Sequence, residues 1–316
     1  MSLASLHPTL LLLAALVSVG VLLGRSGHLG TSREQAASIL TAVVIDVTLP
    51  ALTLEVLLRR PLGLAVVRPL LPATVGLVAS GLAAWGLGAM LRWSRPVRGT
   101  VIVCGAFCNT SFLGLPVVRA LFPGDAEAAQ AAVFIDTVDT TILLWTAGVA
   151  IARAFGTARR SSGNAMLGVL LRPATLSVLL GLAGTLLRVP VPESVLSALH
   201  GVGAATSVLV FLALGMRLDP SVLAGQRAPL AVAVALKMLF APAIALGVVL
   251  ATRGHGAPMA VAVLQASMPS ALIAAAIATQ EGCDDRLAAA IVVTSLLLAV
   301  PALSLWGPVF ARIASG

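Results

Sequence analysis

The feature that most constrains this chain is the length of its apolar runs. A helix crossing a bilayer needs about 20 predominantly apolar residues. Breaking the sequence at its arginine, Gly-Pro and acidic clusters leaves segments of about that size from end to end. Ten are expected: Leu10 to Leu23, Ala36 to Leu58, Val67 to Leu91, Thr100 to Leu121, Glu127 to Ala154, Met166 to Leu187, Val195 to Met216, Pro229 to Ala251, Pro258 to Thr279 and Ala288 to Ala311. With 59% hydrophobic and 10% charged residues, the 316-residue chain lacks the charge that a soluble domain of its size carries on its surface, roughly a quarter of all residues. It reads as an all-α integral membrane protein. The first run has no basic residue before it and no small-residue cleavage site followed by a soluble domain, so it is expected to be a retained helix rather than a signal sequence.

The net charge of +8 would suggest nucleic acid in a soluble chain. Here the basic residues stand singly or in pairs between apolar runs, as topology signals do. Arg25, Arg33, Arg92, Arg95, Arg98, Arg153, Arg159, Arg160, Arg217, Arg227 and Arg286 fall in one set of alternate loops. Fewer fall in the other set, so the first set is expected inside and both termini outside. Arginine in place of nearly all lysine, with no tyrosine, suggests a GC-rich bacterial genome. Cys104, Cys108 and Cys283 have no metal-ligand spacing, and no CxxC, HExxH or GxxxxGK[ST] motif is present, so no metal, cofactor or ATP drive is expected within the chain.

The loop Gly156 to Asn164 divides the chain near its middle. Five spans on either side force the halves into opposite orientations, the condition for an inverted repeat. Residues 1–155 are read as the first five-helix repeat, 156–165 as a cytoplasmic linker and 166–316 as the second repeat. Arg59-Arg60-Pro61-Leu62 after the second span is echoed by Arg217-Leu218-Asp219-Pro220 after the seventh.

The fourth and ninth spans carry polar and helix-breaking residues at mid-depth. In the fourth, Asn109, Thr110 and Ser111 precede Gly114 and Pro116. In the ninth, Gln265 and Ser267 precede Pro269 and Ser270. Proline removes a backbone donor and crowds the carbonyl four residues back, so Pro116 is expected to unwind the backbone beside Asn109, and Pro269 to free the Gln265 carbonyl. Non-helical backbone at membrane depth survives only where protein buries it or a water-filled cavity meets it. Matched breaks therefore suggest a shared substrate site with half-helix N-termini facing an anion. The plainer reading, kinks satisfied by neighbouring helices, suits Pro50, Pro173 and Pro242.

Asp46, Asp136, Asp139 and Lys237 fall near the middle of their spans, where a charge costs roughly 2.5 to 3.5 kcal/mol. Asp136 and Asp139 are expected on one helix face as coupling carboxyls, and Lys237 to neutralise Asp46 or to attract an anionic substrate. Structural ion pairs or neutral, hydrogen-bonded acids are the alternative. Glu55 is expected to reach the interface, and Arg172 to snorkel. His7, His28 and His255 read as solvated, and His200 has no evident partner. Thr48, Thr140 and Thr141 are expected to bond to their own helix backbone.

These residues resemble the auxin efflux carrier family, which includes plant auxin exporters and bacterial malate and malonate permease-like proteins. The likeness rests on LPAL at Leu49 to Leu52, NTSFLGLP at Asn109 to Pro116 and PATLSVLLG at Pro173 to Gly181. It continues with LALGMRL at Leu212 to Leu218 and LQASMPSALIAA at Leu264 to Ala275, followed by Asp285 and a last span containing Pro301. The resemblance implies ten helices in two inverted five-helix repeats, as in bile-acid symporters and NhaA-like antiporters. It also implies a scaffold and a transport domain, crossing broken helices four and nine that hold the substrate, outside termini and a cytoplasmic middle loop. Asn109 matches the crossover asparagine and Pro269 the crossover proline of the ninth helix. Cys108 stands where plant carriers have proline, Arg172 where asparagine is frequent, and the middle loop is short, which favours a bacterial carrier. The expected function is secondary transport of a small organic anion across the inner membrane, with the lipid bilayer as surroundings, no nucleic-acid partner, and a homodimer compatible with the sequence. An anion channel or uniporter is the alternative, and an intramembrane aspartyl enzyme built on Asp136 and Asp139 a remoter one, since such a dyad needs carboxylates on facing elements.

Overall fold

A computed structural model describes residues 3–26, 28, 30–59, 67–157, 173–217 and 226–316. The described residues are helical almost throughout. In chain order the helices are α1 (Leu3–Ser26), α2 (Arg33–Leu58), α3 (Leu70–Met90), α4 (Arg95–Ala106), α5 (Thr110–Leu121), α6 (Ala126–Phe155) and α7 (Pro173–Leu186). They continue with α8 (Glu193–Arg217), α9 (Arg227–Ala251), α10 (Ala257–Ala266), α11 (Leu272–Gln280), α12 (Asp285–Leu297) and α13 (Ala299–Ser315). As far as they are described, the ten apolar segments each fall on one helix or on a broken pair, and Met166 to Leu171 of the sixth lie outside the described residues. Among the described residues five helices are long and apolar enough to cross a membrane, and a sixth span arises if α12 and α13, bent by 53°, are taken together. Arg60, Pro61, Leu62, Leu218, Asp219, Pro220, Arg172 and most of the 156–165 linker lie outside the described residues.

Short polar side chains start several helices. Ser32 accepts from the Gln35 N–H, Asp125 Oδ1 from Ala128 N (2.9 Å) and Asp284 Oδ1 from Leu287 N (2.9 Å), which satisfies amide donors that a first helical turn leaves open. Prolines at the first positions of α4 and α10 act in the same place, where no donor is needed.

Among the described residues four helices contain a widened, π-type stretch: Val44–Thr48 in α2, Thr110–Gly114 in α5, Thr137–Gly148 in α6 and Leu236–Phe240 in α9. Three of them end two residues before a proline, at Pro50, Pro116 and Pro242. The amide just ahead of each proline reaches five residues back: Leu49 to Val44, Leu115 to Thr110 and Ala241 to Leu236. The ring crowds the carbonyl four residues behind it, and the wider turn makes room without ending the helix. Pro116 therefore does not unwind the backbone; it widens α5 beyond a break that lies earlier, at Phe107 to Asn109.

The helices fall into two groups. In the first, α1 lies on α8, α7 on α2, and α2 on α8. The α1 and α8 backbones meet at Gly20 and Gly215, where a side chain on either residue would strike the partner's main chain. The second group gathers α3, α4, α5, α6 and α9 to α13 around α10, whose residues from Ala260 to Gln265 are almost completely buried. Contacts between the groups include α1 with α13 and with the end of α5, α2 with α6, and α8 with the start of α5.

Candidate functional site

At the heart of the second group the chain twice leaves helical geometry. After α4, Phe107 is extended (φ −82°, ψ 129°), and ahead of α11 Ala271 is extended as well (φ −68°, ψ 130°). The two breaks cross antiparallel at Cys108 and Ser270. Asn109 N–H donates to Pro269 O at 2.8 Å and Ala271 N–H to Phe107 O at 3.0 Å. Two open, buried stretches thus satisfy each other, which is the condition for irregular backbone inside a membrane protein.

The remaining groups are met by side chains from flanking helices. Ser80 on α3 donates to Gly105 O (2.8 Å), and Lys237 on α9 donates to Ala266 O (3.0 Å). A hydroxyl thus serves the carbonyl end of α4 and an ammonium that of α10, where a cation also balances the helix dipole. Ser295 Oγ on α12 accepts from Ser270 N–H (3.1 Å). Asn109 folds its side chain forward, accepting from Phe112 N–H (3.2 Å) to start α5. The amides that open α11 have no side-chain cap, so they present donors and a positive dipole end to the crossing.

Gln265 stands apart. It is fully buried, and among the described residues neither polar atom of its amide has a hydrogen-bond partner. The amide is pressed against Gly114 so closely that a side chain there would occupy the same space. Leaving such a group unpaired costs about 1–3 kcal/mol. Asn109, Thr110, Ser111, Gln265, Ser267 and Ser270 are all buried, so the crossing is shut off from solvent in this conformation. Ser267 Oγ is turned away to Leu264 O of its own helix (2.7 Å).

Thr110 and Ser111 do not lie free. Thr110 Oγ1 donates to Asp136 Oδ1 at 2.6 Å and lies 2.7 Å from Thr140 Oγ1, and Ser111 Oγ donates to the same Asp136 oxygen. Asp139 accepts from Thr74 Oγ1 on α3 at 2.7 Å. The two aspartates do not work as one face. The widened turn beginning at Thr137 sends Asp136 to α5 and Asp139 to α3, and Thr140 to Thr110 instead of to its own backbone.

Lys237 does not neutralise Asp46, because its ammonium is committed to Ala266 O while Asp46 sits on an exposed part of α2. Glu55 is buried within the protein. It is 1% exposed, with its carboxylate 2.5 Å from Arg59 Nε and 2.9 Å from Arg119 Nη1. His200 does have partners, its Nδ1 lying 3.4 Å from Arg119 Nη2 and 3.6 Å from Glu55 Oε1. The Glu55–Arg59 spacing of four residues is a legible helix pair, whereas Arg119 and His200 carry no local signal. Ser80, Thr74 and Ser295 were likewise indistinguishable from other hydroxyls in the sequence.

Chains of similar sequence point the same way. An uncharacterised transporter of Methanothermobacter thermautotrophicus is 30% identical over 311 residues, covering 95% of this chain and 97% of its own. An uncharacterised transporter of Methanocaldococcus jannaschii is 26% identical over 286 residues, covering 88% and 91%. A family described as membrane transport protein matches residues 9–307. With broken helices crossing at its centre and this match over nearly its full length, the chain belongs to the membrane transport protein family, that of the auxin efflux carriers.

Proposed function

We propose that this protein is a secondary transporter of small organic anions, carboxylates such as malate, malonate or auxin-like acids, working by elevator-type alternating access in the bacterial inner membrane. The observation that carries the reading is the crossing of the two broken helices with the unpaired Gln265 amide buried in it. A site that retains an unsatisfied amide, uncapped α11 donors and a buried ammonium at the end of α10 has the chemistry to replace a carboxylate's hydration shell. Asn109, Thr110, Ser111, Gly114 and Pro116 form one wall, and Gln265, Ser267, Pro269 and Ser270 the other. Gly114 leaves room for the Gln265 amide, and Pro269 supplies a carbonyl to the crossing. In the closed state Thr110 and Ser111 donate to Asp136; a proton on Asp136 weakens that hold and frees both hydroxyls for the anion, which links transport to protons.

Ten spans in two inverted five-helix repeats fit the packing. Exchanging the halves maps α1 on α8 to α7 on α2, α4 on α12 to α10 on the first half of α6, and α4 on the last turns of α6 to α10 on α13. The reciprocal bonds between Phe107 to Asn109 and Pro269 to Ala271 are what a two-fold axis in the membrane plane requires. The group of α1, α2, α7 and α8 would be the scaffold and the other group the moving domain, with both termini outside. Asp136 and Asp139 bond to different helices, which tells against an aspartyl dyad and hence against an intramembrane enzyme.

The test is uptake of labelled malate, malonate and indole-3-acetate into proteoliposomes, with and without an imposed pH gradient. Saturable flux that responds to the gradient supports the reading. Saturable flux indifferent to it overturns the proton link, fast non-saturating flux makes the protein a channel, and no flux of any carboxylate removes the substrate class.

A further inference from the structure

The crossing is closed, yet a polar cavity of about 510 Å³ opens at one end of the molecule, lined by Glu55, Arg59, Arg119, Phe122, Asp125 and His200 among others. That volume lies within the range of small-ligand pockets, roughly 300–1,000 Å³. Arg119 belongs to α5, the same helix that begins at Thr110, and nine residues of helix separate them by roughly 13 Å. The cavity therefore stands at the far end of the helix that forms one wall of the crossing.

Its polar side chains converge on a single anion, the Glu55 carboxylate. Arg59 reaches it from the same helix, Arg119 from α5 and His200 from α8. Arg59 also touches Glu193 at 3.4 Å, and Asp125 is spent on capping α6 through Ala128 N. Arg59, Arg119 and His200 remain partly exposed, at 37%, 28% and 53% of their side-chain surface, whereas Glu55 is at 1%. The two guanidinium groups and the imidazole face the cavity, and the carboxylate lies behind them. The first turn of α6 borders the same space through Ala126 and Ala129, adding its positive end. Guanidinium groups favour planar carboxylates through paired N–H donors, and Glu55 displays in place the group this cavity is built to hold. The pair Glu55–Arg119 also ties the group of α1, α2, α7 and α8 to the group that carries the crossing.

We propose that this cavity is a second carboxylate-binding site, a docking station at one mouth of the transport path. In it the incoming carboxylate exchanges with Glu55 on the Arg119 guanidinium, beside His200. Occupancy releases the bridge between the two helix groups, so that Glu55 is an internal competitor that holds the mouth latched while no anion is present. The coupling to movement rests on the transport reading above; the binding itself does not.

The test is calorimetric titration of malonate into the purified full-length protein, alongside the variants Glu55→Gln, Arg119→Gln and the double variant E55Q/R119Q, each checked for folding by thermal unfolding. Removing the competitor is expected to tighten malonate binding by about tenfold or more in E55Q, and removing Arg119 to abolish that gain in E55Q/R119Q, which carries no unbalanced charge and is expected to fold. The tightening on removing Glu55 is expected to persist in an Asn109→Ala background, where uptake is lost. Binding in E55Q no tighter than in the unaltered protein, or equal in E55Q and E55Q/R119Q, overturns the proposal. Inorganic phosphate binding E55Q as tightly as malonate overturns the carboxylate assignment. Tightened malonate binding in E55Q without uptake of any carboxylate leaves the site standing and removes the transport reading instead.

Discussion

Gln265, Asn109 and Asp136 carry different duties in a space a few residues wide, and substitutions separate them. Gln265 is buried with its amide unpaired, so replacing it by Leu removes a penalty of about 1–3 kcal/mol. Gln265→Leu is expected to unfold at an equal or higher temperature while losing uptake; a variant that transports normally would show that the amide meets no substrate. Asn109 bonds forward to Phe112 N–H, and its main chain bonds to Pro269. Asn109→Ala keeps the main-chain pair, loses a cap of about 1 kcal/mol and is expected to abolish transport with folded protein still recovered. Asp136→Asn keeps a side-chain acceptor for Thr110 and Ser111 but cannot bind and release a proton. Its uptake is expected to lose its response to a pH gradient, and a response equal to that of the unaltered protein would place the coupling elsewhere.

Helices in this protein are shaped as much by where they widen and touch as by where they end. Asp46, Asp139 and Lys237 all lie inside widened stretches, and Asp136 immediately precedes one. A wider turn re-aims side chains, which is why Asp136 and Asp139 serve different helices despite a spacing that puts them on one face of a regular α-helix. Without proline the amide can rejoin the regular ladder. Pro242→Ala is expected to let α9 regain α-helical pairing, to swing Lys237 away from Ala266 O and to reduce uptake more than it reduces thermal stability. Transport unchanged in Pro242→Ala would mean that the widened turn is not needed. The α1–α8 contact depends on close backbone approach, as in other membrane helix pairs built on small residues. Gly215→Leu forces those backbones apart and is expected to lower the unfolding temperature by more than the same change at Gly201, where nothing lies within 4 Å.

At the scale of the whole molecule, alternating access requires the two helix groups to slide on each other. Val17 on α1 and Val300 on α13, one from each group, both line a cleft of about 280 Å³. Joining cysteines at these two positions with a short bifunctional thiol reagent is expected to stop uptake, and cleaving the linker to restore it. Full uptake in the linked protein would argue for a rigid pore. The buried native thiols at Cys104, Cys108 and Cys283 favour this experiment, since the Cys283 thiol, which lies outside the spans, is pushed up to about 11 mainly by burial and is little ionised at neutral pH.

Much of this architecture was legible in the order of residues. Apolar runs of bilayer length must be helices, because hydrocarbon offers no partner to an open backbone, and polar residues beside prolines in the fourth and ninth runs mark where helices fail. Asn109 and Gln265 could be singled out on that ground alone. Which atoms meet across those failures was not legible, because the bonds at the crossing join residues on different helices, 25 positions apart for Ser80 and Gly105, 29 for Lys237 and Ala266, and further still for Asn109 and Pro269. Ser80 and Lys237 look nothing alike in sequence, yet each serves the carbonyl end of a broken helix. Glu55 read as an acid near a span end, and only packing shows it buried beside Arg59, Arg119 and His200 on the wall of a cavity. Periodicity and composition report only on near neighbours along the chain, while the partner of a buried charge is chosen by packing, after the helices have assembled.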